Sequence, residues 1–195
     1  GNEILPLDSN TIHIMLPNEY QWMLESGKFT NIEVIKTLKY PNGSDGFLFV
    51  TMNYVDNINE IIEQEINERR RPRESTIMID DQWVQVTYPL LDMNEIRHAF
   101  DNNDTTLIRT YEANPLRIEL TFPEPKSLSS VTALIGSAST RLTITLTLSG
   151  STEMIIRSSE VGDASLVRPI TIQLDEAVMI EKLVIEVLNV NDGNF

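Results

Sequence analysis

The residues best equipped for chemistry lie in one short run, Asp101, Asn102, Asn103, Asp104, Thr105 and Thr106. Six consecutive side chains end in oxygen acceptors. Hard cations such as Ca²⁺ take roughly six to eight oxygens from carboxylates, amides, hydroxyls and backbone carbonyls, and this run offers every type. The spacing is not that of an EF-hand loop, so the same residues also fit a metal-free Asx turn bonded to its own backbone. A second chemical cluster is Arg69-Arg70-Arg71-Pro72-Arg73, the one dense basic stretch. It could meet phosphate or an anionic membrane surface. It could equally cap a helix C-terminus and pair with Glu63, Glu65 and Glu68. Catalytic signals are missing. His13 and His98 stand alone, Asp80-Asp81 reads as a turn, and no nucleophile elbow, zinc-protease motif, phosphate loop or dinucleotide fingerprint occurs. The chain is therefore expected not to be an enzyme.

Composition narrows the classes further. The net charge of −14 opposes general nucleic-acid binding, which relies on a basic surface. With no cysteine there are no disulfides, thiolates or Cys-based zinc sites. An apolar fraction of 41% over 195 residues supports a packed core in one large domain or two small ones. No apolar run approaches the ~20 residues of a membrane helix. The chain starts Gly-Asn and ends soon after a strand-like run, which reads as a piece of a longer protein.

The elements that must position these residues fall into two groups. In the first half, Thr11–Leu16 reads as a strand, Pro17–Ser26 as a short helix closed by Gly27, and Ile32–Tyr40 and Phe47–Tyr54 as a hairpin. Asn57–Arg70 reads as a helix with Ile58, Ile61, Ile62 and Ile66 as its apolar stripe. Ser75–Ile79 and Trp83–Tyr88 read as a second hairpin. This predicts a small α+β domain over residues 1–92, with the junction at Pro89–Asp92. Residues 93–195 change character. After a helical turn at Met93–Phe100 come Leu107–Ala113, Leu116–Phe122, Ser130–Ile135, Arg141–Leu148, Glu153–Arg157, Ile170–Leu174 and Ile180–Val190, all strand-like. Leu116, Ile118, Leu120 and Phe122 alternate with Arg117, Glu119 and Thr121, which is the period of a half-buried strand. The expectation is an all-β sandwich or jelly roll, with Ser159–Arg168 as a connecting loop.

The run AFDNNDTT, followed by an Arg and then by NPLRIELTFPEP, resembles the opening of the galactose-binding-like, or discoidin, β-sandwich, over roughly Asn94–Asp192. The family's Gly after the Asp is Asn102 here, a residue that tolerates left-handed backbone angles. Its Trp is replaced by Leu107 and Ile108. The resemblance implies a structural calcium held by Asp101, Asp104 and Thr106, with Glu186 or Asp192 as a closing carboxylate. It implies that Arg109 either faces ligand or clamps Asp101. It also implies carbohydrate as a partner. Of the aromatics in this half, Phe100 and Phe122 read as core, and Tyr111 is the ring free to stack on a sugar. The expected function is a non-catalytic binding or accessory module of a larger extracytoplasmic or membrane-anchored protein that handles glycans. One version is the soluble tail of a membrane glycosyltransferase. The alternative is a structural interaction domain with no small-molecule ligand.

Overall fold

The computed structural model describes residues 11–136 and 138–191. The chain is predominantly β, with two α-helices among the described residues. It divides into two compact units between Ile66 and Asn67.

The first unit holds β1 (His13–Met15), α1 (Pro17–Glu25), β2 (Phe29–Lys39) and β3 (Asp45–Tyr54), with the strands in the antiparallel order β1-β3-β2. Pro17 opens α1 at a position where no N–H is needed, and Glu19 Oε2 accepts the Leu16 N–H at 2.7 Å. Gly27, with φ 67°, ends it. Met23 of α1 meets Leu48, Val50 and Met52, the alternate residues of β3, in a small core. Trp22, off the apolar stripe, is exposed.

Helix α2 (Ile58–Arg70) begins in the first unit and ends in the second. Its expected apolar stripe is buried only at Ile58; Ile61, Ile62 and Ile66 are half-buried. Lys28 of the first unit reaches Glu65 of this helix at 2.7 Å.

The second unit contains β4 (Arg73–Ile79), β5 (Gln82–Tyr88), β6 (Leu91–Met93), a 3-10 turn (Ile96–Ala99), β7 (Arg109–Thr110), β8 (Leu116–Ile135), β9 (Thr140–Leu148), β10 (Met154–Val161) and β11 (Arg168–Asn189). One sheet runs β10-β9-β11-β8-β5-β4, and β6 pairs with β7 in a separate ribbon. The β4–β5 hairpin, which sequence places before a junction at residue 92, thus joins the large sheet, because Gln85–Thr87 pair with Glu119–Thr121 of β8. Most of the expected strand Leu107–Ala113 stays irregular, and only Arg109–Thr110 pairs. β10 extends to Val161, into the segment expected to be loop.

Two pairs of expected strands are each one long strand. Pro123 and Pro125 look like a break, yet β8 continues through them. Thr121 pairs with Lys182 and Lys126 with Ile180, so residues 122–125 bulge past Glu181 alone. Prolines are tolerated there because a bulge asks for no ladder N–H. β11 bulges in turn between Gln173 and Val178. The paired strands can then bend, and residues on either side of the bend share one core. Val131, Ile135, Ile170 and Ile172 cluster with Ile118, Leu120, Leu142, Ile144 and Leu146. Sharing of a core across a folded sheet is the packing of a β-sandwich.

Candidate functional site

The oxygen-rich run forms a turn bonded to itself. Asp101 Oδ1 accepts the Asn103 N–H at 2.9 Å, and Asp101 Oδ2 accepts the Thr106 hydroxyl at 2.9 Å. Asn103 Oδ1 accepts both the N–H and the hydroxyl of Thr105, at 3.0 and 2.7 Å. Asn102 takes the left-handed conformation, φ 54°, where the discoidin pattern has glycine. These bonds hold the Asp101 carboxyl below its ordinary proton affinity, the Asn103 N–H contributing most. Two Asp101 oxygens and the Asn103 amide oxygen are thus already engaged. Among the described residues, no group of three or more His, Cys, Asp or Glu side chains is placed to hold a metal ion. Glu186 pairs with Arg117 at 3.2 Å; Asp192 lies outside the described residues.

Arg109 does not clamp Asp101. It forms a forked pair with Asp92, Nε to Oδ1 at 2.9 Å and Nη2 to Oδ2 at 2.8 Å. The ribbon explains the choice. Arg109 sits across from Met93 in the β6–β7 pairing, which brings it beside Asp92. The hydrogen bonds from Arg109 lower the proton affinity of Asp92, and Asp92 in turn raises that of Arg109. Sequence reading passed over Asp92, seventeen residues away, as part of a junction.

Tyr111 follows directly on β7, tied by its N–H to the Leu90 carbonyl at 3.0 Å. The residue is 53% exposed. The guanidinium of Arg69 lies over its ring, 5.7 Å from the centroid. Arg69 Nε also stands 2.9 Å from Glu112 Oε1, an ion pair without the straight N–H···O line of a hydrogen bond. The basic cluster is therefore partly spent on capping and pairing, as its plainer reading predicts. Arg71 and Arg73 both reach Glu68, at 3.2 and 2.9 Å. The Arg73 hydrogen bond lowers the proton affinity of Glu68. Of the expected partners Glu68 serves, joined by Glu112, while Glu65 pairs with Lys28 instead.

Beside this ribbon is an open cleft that sequence gave no sign of. Its walls are Arg73–Ile77 of the sheet's edge strand β4 on one side and Leu90, Leu91 and Asn94–Arg97 on the other. Tyr88 contributes a ring whose hydroxyl meets Ser75 Oγ at 3.0 Å. Ile77 and Ile96 line it with apolar surface, and Glu95, Arg97 and Asn94 with polar groups. The arrangement can bind by stacking and hydrogen bonding.

No protein-family model matches the chain, and no curated protein does. Among solved structures, it is similar to the family 32 carbohydrate-binding module of C. perfringens NanJ in complex with galactose. The TM-score is 0.44 and the identity 17%, over 60% of this chain and 88% of that one. It is also similar to a Ruminococcus gnavus GH29 fucosidase in complex with fucose. There the TM-score is 0.45 and the identity 10%, over 70% of this chain but only 28% of the fucosidase.

Proposed function

We propose that the chain is a non-catalytic carbohydrate-binding accessory module of a larger extracytoplasmic or membrane-anchored protein, one version being the soluble tail of a membrane glycosyltransferase. The observation that carries the reading is Tyr111: an exposed ring on a tethered segment, with the Arg69 guanidinium over it and Glu112 paired to that guanidinium. Sugars present an apolar C–H face and a rim of hydroxyls, and this patch offers a ring for the first and charged donors and acceptors for the second.

Calorimetric titration with galactose, fucose and oligosaccharides containing them tests the proposal. Tyr111→Ala is expected to weaken binding by about tenfold, the scale of one good ring contact. Unchanged affinity in that variant, or no binding across a glycan panel, would sink the reading. The sequence flanking this segment in its parent gene tests the membrane-anchored setting.

One observation favours the second reading, a structural interaction domain. The outer face of the first unit's sheet exposes Ile14, Leu38 and Phe47, opposite the face that carries its core. A chain that binds no glycan but self-associates in sedimentation, with the association lost in Ile14→Lys, would support that alternative.

A further inference from the structure

We propose that the outer face of β4, β5 and β8 is a second carbohydrate-binding surface, with Trp83 as the ring on which a neutral pyranose stacks. The inference shares the ligand class of the function proposed above but stands on different residues. The alternation that buries Ile77, Val84, Val86 and Leu120 turns Met78, Trp83, Gln85, Thr76 and Thr121 outward. The register lays them out in rows. Met78 faces Trp83 across the hairpin, and Thr76, Gln85 and Thr121 face one another across three strands.

Trp83 is 63% exposed. On a regular strand it presents a flat apolar ring with one N–H donor, the kind of face a pyranose stacks on. The ring's support is rigid. Asp80 and Asp81 both take left-handed angles, φ 45° and 64°, making the tight turn that suits a two-residue hairpin. Asp80 is ion-paired to Lys126 of β8, which ties the hairpin tip to the neighbouring strand. The hydroxyl–amide–hydroxyl row lies one pleat repeat, roughly 7 Å, along the strands from the ring.

Other occupants fit less well. A protein partner needs far more apolar area than one Trp and one Met. An anionic membrane repels a chain of net charge −14, all the more beside Asp80 and Asp81. The uncharged donors and acceptors of the second row suit a neutral polyol.

The chain has two tryptophans, Trp22 and Trp83, so Trp22→Phe leaves Trp83 as the sole indole reporter. Titrating that variant with cellohexaose and with mannohexaose is expected to shift the Trp83 emission saturably with at least one of them. Trp83→Ala should weaken hexaose binding by about tenfold in calorimetry, Trp83→Phe should restore most of it, and the emission shift should survive Tyr111→Ala. Equal thermal melts of parent and Trp83→Ala would verify the fold. Calorimetric binding with no emission change and parental affinity in Trp83→Ala overturns this site while leaving Tyr111 standing. An emission shift with phosphatidylcholine or phosphatidylserine vesicles and with neither hexaose reassigns the surface to a membrane. No binding to either hexaose or across a printed glycan array overturns both glycan sites.

Discussion

Asp92 is charged at lower pH than an ordinary aspartate because Arg109 donates a fork of hydrogen bonds to it. Glu68, Asp101, Glu119 and Asp163 are lowered in the same sense, by Arg73, the Asn103 N–H, Lys182 and Ser139 respectively. The sign follows from linkage: a carboxylate with a depressed native pKa adds stability above its unfolded value, near 4, and that stability is lost as the pH falls through the native value. Urea midpoints should therefore hold from pH 7 to about 5 and fall between about 4 and 2. The fall should shrink in Asp92→Asn and in high salt, since most of these groups are exposed and screened. A midpoint flat down to pH 2 would contradict the pairing. Calcium is tested on the same scale. The 101–106 turn is held by its own hydrogen bonds, and on that reading equal melting temperatures are expected in millimolar calcium and in chelator. A rise in calcium that Asp101→Asn abolishes would assign the loop a cation, as the discoidin resemblance implies. At a hundredfold excess over the dissociation constant that gain is ~2.7 kcal/mol. Sequence made the turn legible, because Asn and Asp side chains bond locally. It could not show Arg109's partner, because that choice depends on the β6–β7 ribbon bringing Met93 opposite Arg109.

Periodicity predicts elements well where one face is buried and one is wet. Thr143, Thr145 and Thr147 alternate with the fully buried Leu142, Ile144 and Leu146, and β9 lies where that pattern puts it. Ile144→Ala should cost about 3–5 kcal/mol, the range for an aliphatic truncation in a closed core. Pattern fails where the backbone bends without stopping. Sequence reading ends one strand at Phe122 and starts another at Ser130, and only the offset pairing with β11 reveals one strand with a bulge. The Ile stripe of α2 fails differently. Helical spacing says which residues share a face but not how deeply that face is covered. Ile58 is 8% exposed, whereas Ile62 is only half-buried. Ile58→Ala should thus cost about 2–3 kcal/mol and Ile62→Ala roughly half as much, read from urea midpoints at constant m. Equal losses at the two positions would mean that this face is covered to the same depth along its length.

Across the whole molecule, apolar burial is unevenly divided. Among the described residues, seventeen buried side chains form the core of the second unit, whereas that of the first has four, Met23, Leu48, Val50 and Met52. Sequence hid the imbalance, because both halves carry enough apolar residues for a core. In the first unit, however, Ile14, Ile35, Leu38 and Phe47 lie on the surface. The division at Ile66 was hidden for a related reason: whether β4–β5 belongs to the first half or the second depends on three pairs with a strand over thirty residues later. Burial sets how often a segment opens, since each fully buried aliphatic side chain contributes roughly 1.5–3 kcal/mol and fluctuations are drawn from the parts with fewest such contacts. The first unit should therefore open locally well before the sandwich does. Native-state hydrogen exchange is expected to find the slowest amides in β9 and in Lys182–Val187 of β11, which pair on both sides. The β1–β3 amides should exchange orders of magnitude faster, with a weaker dependence on urea, because less surface is exposed on opening. Protection in β3 equal to that in β9, with the same urea dependence, would mean that the chain opens as one cooperative body and that the small core is stabilised by contacts beyond its own four residues.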